Sequence, residues 1–358
     1  MMIGKNKSLT FISLFFLILI SLIVNSYIFN SLLIINIFLI FSVISLVVTK
    51  YGLKKIKQLN LIQNIRNEGP SLHLKKNNTP TMGGIFIILP FLLLLLIVNS
   101  FDSIGIYLLF FCTISFFVIG FLDDYLSIIN KQNTGLKSNE KFILQALISI
   151  LFIILASQNN YINPLISISN NWSIDTKILI FPICFLALVG LSNAVNLTDG
   201  LDGLASGCSS IVFFGLGTEI FIKSEKELII YGLISYAMSG LCIGFLKYNK
   251  YPAKIFMGDT GSLTIGATLG SISILTNSFF TLFIISGIFI IEALSVVIQV
   301  GFFKITKKLF KNGKRVFLMT PIHHHFELKG IKEQKIVENF WKINILLVAF
   351  GIVLKINL

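Results

Sequence analysis

Long apolar runs alternate with short polar intervals along almost the whole chain. Runs close to the ~20 residues that cross a hydrocarbon core fall at 27–49, 82–99, 104–122, 142–157, 177–195, 205–222, 228–246, 263–276, 279–303 and 340–357. The pattern predicts an all-α polytopic integral membrane protein with about ten transmembrane helices. Two runs, 142–157 and 263–276, are short, so their ends extend into flanking residues. A further apolar stretch at 9–25 is parted from the first run only by Asn25-Ser26. An extra span is one alternative, and Lys5 and Lys7 would then favour a cytoplasmic amino terminus; a hairpin that tight is less expected than an interfacial helix or one long tilted approach, so ten spans are preferred. No small-residue cleavage site follows them, which argues against a removed signal peptide.

Composition agrees with this class: 55% of the 358 residues are hydrophobic and 13% are charged. Charge placement adds an orientation. Of 29 basic residues, 22 fall in 50–81, 123–141, 247–262 and 304–339, which alternate spans place on one face. Only Lys5, Lys7, Lys177, Lys223, Lys226 and Lys355 fall on the other face, and Lys342 begins the last span. The positive-inside rule makes the rich face cytoplasmic and puts both ends of a ten-span chain outside. The formal charge of +13 also attracts anionic headgroups and substrates. The four cysteines, Cys112, Cys184, Cys208 and Cys242, lie inside predicted spans without a CxxC pair and read as packing residues.

The acids are more informative. Five of seven aspartates, Asp123, Asp124, Asp199, Asp202 and Asp259, occupy three loops separated by even numbers of spans. Each loop therefore returns to the same face, where they can converge. A carboxylate in mid-bilayer costs about 2.5 to 3.5 kcal/mol on insertion scales, so five of them call for a hydrated cleft at the interface. Asp-Gly pairs also start turns and Asp caps helices, which accounts for any one position taken singly. Together with glycines that let backbone amides approach an anion, the set reads as a phosphate site; short aspartate side chains suit Mg²⁺. There is no Walker A sequence or Rossmann glycine pattern. Two spans after Asp259, three of the four histidines stand together in Pro321-Ile322-His323-His324-His325-Phe326-Glu327. Neutral imidazole ligates metals and imidazolium donates to phosphate, so the triplet marks a metal or a phosphate site.

From about residue 50 onward the chain resembles the phospho-N-acetylmuramoyl-pentapeptide transferase family. The resemblance rests on Thr79-Pro80-Thr81-Met82-Gly83-Gly84, Phe121-Leu122-Asp123-Asp124-Tyr125, Asn193 through Gly203, Phe256-Met257-Gly258-Asp259-Thr260-Gly261 and the histidine motif. The aspartate motifs mark the wider polyprenyl-phosphate sugar-1-phosphate transferase superfamily; the triple histidine marks the muramoyl-pentapeptide branch. The resemblance implies one transmembrane transferase domain over 1–358 with its cleft on the cytoplasmic face of the bacterial inner membrane. Its substrates would be UDP-MurNAc-pentapeptide and undecaprenyl phosphate, with products lipid I and UMP. Mg²⁺ is the implied cofactor and membrane lipid the surroundings; nucleic acid is not an expected partner, and a homodimer is left open.

Carried over by motif, Asp259 is the metal ligand, Asp123 meets the lipid phosphate, and Asp124 shares or tunes that work. His323, His324 and His325 serve the phosphate or sugar side, with His323 foremost. Asn196, Asp199 and Asp202 line the nucleotide and pyrophosphate pocket. Lys76, Thr81, Asn249, Phe256 and Gln299 fall toward the uridine end, and Lys131 and Lys141 toward the lipid phosphate. Phe256 reads equally as an interfacial packing aromatic, and the two lysines as ordinary positive-inside charge. Glu292, inside the ninth span, reads as a hydrogen-bonded helix-packing residue. Ser127 and Thr134 stand where the family commonly has basic residues, which Lys131 and Lys137 can offset locally. A related GlcNAc-1-phosphate transferase is the nearest alternative, and the histidine triplet argues against it. A metal- or proton-coupled transporter would need midplane ionisable groups and repeat symmetry, and only Glu292 suits it.

Overall fold

A computed structural model describes residues 6–58, 79–98, 104–130, 135–168 and 172–357. The described residues are almost entirely helical. In chain order the helices are α1 (Asn6–Ile28), α2 (Leu33–Gln58), α3 (Ile85–Val98), α4 (Ile104–Ile129), α5 (Ser138–Gln158), α6 (Ile180–Phe185) and α7 (Leu191–Thr198). They continue as α8 (Leu204–Lys223), α9 (Ile229–Asn249), α10 (Asp259–Leu275), α11 (Phe279–Ile285), α12 (Gly287–Phe310), α13 (Ile322–Leu328) and α14 (Glu333–Asn357). A small antiparallel hairpin, β1 (Leu165–Ser167) with β2 (Ser173–Asp175), precedes α6.

Among the described residues, nine helical segments are long and apolar enough to cross a membrane, and the shorter α3 is also apolar. They surround a core of α8 and α10, in which every residue from Leu204 to Phe221 and from Thr260 to Leu275 is buried. Small residues make α10 a central post. A Cβ added at Gly266 would lie 2.3 Å from the Leu191 carbonyl oxygen, and one at Gly270 would lie 2.2 Å from that of Ala187. Backbones can approach this closely only where side chains are absent, the usual device for helix contact where lipid supplies no hydrophobic drive. The Thr264 and Thr268 hydroxyls donate to carbonyls one turn back, so burying them leaves no unpaired polar atom there. Facing α10, Lys177–Thr198 forms one span of mixed winding, with a wide π turn at Leu186–Gly190 joining α6 to α7.

Two faces can be distinguished. At one, α8 and α10 begin and α9 ends; at the other lie the β hairpin and the end of α14, where Lys355 Nζ donates to Ser167 Oγ at 2.7 Å. On that far face Lys223 Nζ donates to the carbonyls of Thr276 and Asn277 at 2.6 and 3.1 Å. A cation at the C-terminal end of α10 complements the helix dipole and helps hold the post in place.

At the beginning of the chain, the apolar stretch that the sequence leaves open as an extra span forms a helix of its own. Residues 9–25 lie in the separate helix α1, and the expected first run of 27–49 straddles the turn between α1 and α2. Phe11 sits beneath Lys250, whose Nζ is 4.5 Å from the ring centroid, just past the site-face end of α9. At its other end Phe29, immediately after α1, meets Phe221 with centroids 5.4 Å apart, at the far end of α8. The helix thus covers the full depth of α8. Its start lies on the motif-bearing face, the side that Lys7 favours if the stretch is an extra span; Lys5 lies outside the described residues. The physical reason is a buried polar anchor: Asn25 Nδ2 donates to Thr218 Oγ1 at 2.8 Å and to Tyr236 Oη at 3.2 Å. This gives α1 a specific partner within the bundle.

Candidate active site

The end of α4 meets the start of α10. A Cβ at Gly120 would stand 2.2 Å from the Asp259 carbonyl oxygen, so glycine is what allows this approach. Three residues on, Asp123 Oδ1 accepts from the Leu136 amide at 3.0 Å. Asp124 turns toward α10 and closes its first turn. Its Oδ1 accepts from the Asp259 amide at 3.1 Å, while Oδ2 accepts from the Thr260 amide at 2.9 Å and the Thr260 hydroxyl at 2.6 Å. A helix normally draws this cap from the residue just before it; here that residue is Gly258, at φ 74°, and the carboxylate comes from another helix.

Asp259, freed from capping itself, faces outward into a set of polar partners. Asn196, near the end of α7, donates to Asp259 Oδ1 at 2.7 Å and to Ser262 Oγ at 2.9 Å. Lys141, in the first turn of α5, pairs with Asp259 Oδ2 and lies 3.3 Å from Asp123 Oδ2. The ammonium thus bridges two carboxylates from separate helices. One oxygen from each of Asp123, Asp124 and Asp259 falls within 4.8 Å of the others. Beside them, burial and the charges of Asp259 and Asp124 push the Asp199 carboxyl well above the ordinary carboxylate range, although the Gly258 amide donates to it. Among the described residues, Asp123, Asp124 and Asp259 meet the single ammonium of Lys141, and the positive end of α10 offsets part of the remaining negative charge.

These residues suit a hard divalent cation. Carboxylate oxygens are the preferred donors of Mg²⁺, which also retains water and substrate oxygens. Both oxygens of Asp124 already cap α10, whereas Asp259 Oδ2 and Asp123 Oδ2 face the movable side chain of Lys141. Asp259 and Asp123 are the pair that would hold the ion.

Other expected site residues have different partners. The Asp202 amide donates to Glu333 Oε1 at 2.8 Å, and its Oδ2 accepts from the Ala253 amide at 2.9 Å. It ties the α7–α8 loop to α14 and to the loop before α10. Asn249 is buried, accepting from Ser206 Oγ at 2.7 Å and donating to the Ile255 carbonyl at 3.0 Å. Thr81 and Phe256 come together through the pairing of Pro80 and Gly83 with the Phe256 backbone, with Thr81 buried and Phe256 half-buried. Gln299 holds the loop before α13, accepting from the Val316 and Phe317 amides and donating to the Phe317 carbonyl. Lys76, Lys131 and Thr134 lie outside the described residues.

The histidines take three separate partners. His323 is fully buried, with Nδ1 3.0 Å from Glu292 Oε2. His324 Nδ1 lies 2.7 Å from Glu327 Oε2, and His325 Nδ1 accepts from the Leu318 amide at 3.2 Å. His323 reaches the aspartate motifs through Gly200, where an added Cβ would be 2.3 Å from Nε2. Sequence reasoning missed Thr260 as a partner of Asp124, Ser262 as a partner of Asn196 and Glu333 as a partner of the Asp202 amide. Ser262, one turn beyond Asp259, offered a helical-spacing signal; Glu333 offered none.

The Glycosyl transferase family 4 model matches residues 106–277, and the phospho-N-acetylmuramoyl-pentapeptide-transferase signature 1 matches residues 76–88. Fold and site together define a polytopic membrane transferase with a carboxylate-rich centre at one face. A phospho-N-acetylmuramoyl-pentapeptide-transferase of Prochlorococcus marinus subsp. pastoris is 86% identical over 359 residues, covering 100% of both chains. Proteins of the same name from Prochlorococcus marinus strain NATL2A and from a Synechococcus species are 46% and 41% identical, each over 89% of this chain and 86% and 87% of their own lengths. The chain belongs to the phospho-N-acetylmuramoyl-pentapeptide-transferase family.

Proposed function

We propose that this chain transfers phospho-MurNAc-pentapeptide from UDP-MurNAc-pentapeptide to undecaprenyl phosphate, forming lipid I and releasing UMP. The observation that carries this reading is the convergence of Asp123, Asp259 and Lys141 from α4, α10 and α5 at one membrane face. Attack of a phosphate oxygen on a pyrophosphate chiefly needs alignment and charge neutralisation. Mg²⁺ held by Asp259 and Asp123 would supply that neutralisation. Lys141 then meets the acceptor phosphate, and Asn196 keeps Asp259 oriented. The acceptor is ionised at neutral pH, so no strong general base is required. The basic residues around the site support its placement on the cytoplasmic face of the bacterial inner membrane.

An apolar groove of about 460 Å³ supports a lipid acceptor. It runs between the π turn and α7 on one side and α11 and α12 on the other, lined by residues including Leu186, Gly190, Ala194, Phe283, Ile290 and Leu294. Ala194 is two residues from Asn196, so a prenyl chain in this groove has its phosphate end within reach of the carboxylates.

The test is a lipid-product assay with purified protein, Mg²⁺ and undecaprenyl phosphate, comparing UDP-MurNAc-pentapeptide with UDP-GlcNAc. Product is expected only from the muramoyl donor, and Asp259→Ala should abolish it. Preference for UDP-GlcNAc, or undiminished turnover in Asp259→Ala, would overturn the reading.

A further inference from the structure

Glu292 and His323 form a buried pair that the carboxylate centre does not use. Glu292 lies in α12, a helix apolar enough to cross a membrane, and is fully buried. An ionisable residue there is costly and is retained only with a specific partner. That partner is His323 on α13, at 3.0 Å. Each residue has a second polar atom with no hydrogen-bond partner: Glu292 Oε1 and His323 Nε2. A buried imidazole with one nitrogen engaged by a carboxylate and the other unpaired is half of an oriented donor system; the missing half is what Nε2 faces.

Nε2 faces the aspartate loop. A Cβ at Gly200 would be 2.3 Å from Nε2 and 2.8 Å from Cε1, so the ring edge rests against the turn between Asp199 and Asp202. Only a residue without a side chain admits the ring so close. The motif containing Asn196 and Asp199 and the histidine motif, more than a hundred residues apart in sequence, therefore meet at Gly200. A single hydrogen bond to α12 sets the angle of that meeting.

We infer that Glu292 is a positioning residue for the transfer: by holding Nδ1 of His323 it aims Nε2 at the Asp199–Gly200 turn, where Nε2 serves an anionic oxygen of the bound sugar-nucleotide donor. With Nδ1 engaged by the carboxylate, Nε2 is the ring nitrogen left to meet that oxygen. Glu292 does not touch the donor. Its effect passes through His323, as an orienting acid acts through a histidine in hydrolytic triads.

The inference rests on the proposed transfer, and the experiment separates the two. Turnover and donor KM are measured for the wild type, Glu292→Ala, Glu292→Gln, Glu292→Asp, His323→Ala and the double variant Glu292→Ala/His323→Ala, each checked for an intact melting transition. Glu292→Ala should lower kcat about tenfold or more, with donor KM changed less than about threefold. Glu292→Asp should restore part of the loss. In the double variant kcat should match that of His323→Ala alone, because the carboxylate has no ring left to orient. Glu292→Gln keeps the volume without leaving a cavity, so it carries the test if the alanine variant fails to fold; its kcat should also fall at unchanged KM. Losses that multiply in the double variant, or Glu292→Gln and Glu292→Asp both within about twofold of wild type, would overturn the positioning role. Absence of product from the wild type with UDP-MurNAc-pentapeptide would overturn the underlying reading instead.

Discussion

Asp124, near the end of α4, caps the helix that begins at Asp259, accepting from the Asp259 amide at 3.1 Å through Oδ1. Two acidic residues more than a hundred positions apart thus divide their labour. Asp124 occupies the first backbone donors of α10, and Asp259 is left with its carboxylate pointing to Asn196 and Lys141. The arrangement makes a helix end, which naturally attracts negative charge, into a mount for a second carboxylate.

Removing that cap should disturb both stability and chemistry. Asp124→Ala strands the amides of Asp259 and Thr260, a loss of about 1 to 2 kcal/mol by analogy with N-cap substitutions. A lower melting temperature and at least tenfold lower turnover are expected. Asp124→Asn should melt closer to wild type while remaining impaired. Thermal melting alongside the lipid-product assay checks this, and wild-type turnover in both variants would refute the cap assignment.

Lys141 is expected to act as the counterion between Asp123 and Asp259 when no divalent cation is bound. Replacing it by Met removes the ammonium that bridges the two carboxylates and leaves them facing each other. Added Mg²⁺ should then raise the melting temperature of Lys141→Met more than that of wild type, while turnover falls at least tenfold. Melting curves over a Mg²⁺ titration decide it; an equal or smaller Mg²⁺ increment in the variant would contradict the bridging role.

Gly200 should tolerate no side chain. An alanine there would bring its Cβ to 2.3 Å from His323 Nε2, and the ring cannot swing away without releasing Glu292. Overpacking of this kind costs roughly 1 to 3 kcal/mol. Gly200→Ala should lower the melting temperature, and adding His323→Ala should recover most of the loss. Failure of the second substitution to recover any stability would show that the strain lies elsewhere.

Asp199 predicts a pH dependence whose sign can be worked out. Its native carboxyl titrates well above the ordinary value because of burial and the charges of Asp259 and Asp124. An unfolded aspartate titrates near about 3.9, so the native state binds the proton more tightly. Its contribution to stability is complete below that value and is lost as pH rises through the raised native pKa. In chelator, the wild type should therefore lose melting temperature over that interval more steeply than Asp199→Asn. Parallel profiles would remove Asp199 as the source.

The placement of α1 is open to labelling. A cysteine introduced at Ser8 should react from the same membrane side as one at Lys329, and one at Lys226 from the opposite side. The four native cysteines are buried and should contribute little background. Reaction at Ser8 and Lys226 from one side would restore the ten-span arrangement.

Much of this was legible in the chain. Even numbers of spans between Asp123, Asp199, Asp259 and the histidines implied a common face, and the extra helix α1 does not alter that parity because it precedes all of them. Residues 9–25 were left open because hydropathy cannot distinguish an interfacial helix from a buried one. The deciding contact, Asn25 with Thr218 and Tyr236, spans about two hundred residues. Glu292 read as a hydrogen-bonded residue, and it is one, but its partner was hidden: no local spacing links α12 to His323.

Apolar run length, basic-residue asymmetry and motif order, all local or additive along the chain, by themselves determined a helical membrane protein with a one-sided acidic centre. Tertiary structure alone decided which aspartate caps a helix, which faces Lys141, which braces a loop, and which histidine is buried against Gly200. Chemically identical carboxylates differ only in the donors that surround them. Those donors come from α4, α5, α7, α10 and α14, and their meeting is set by backbone approach at glycines such as Gly120 and Gly266.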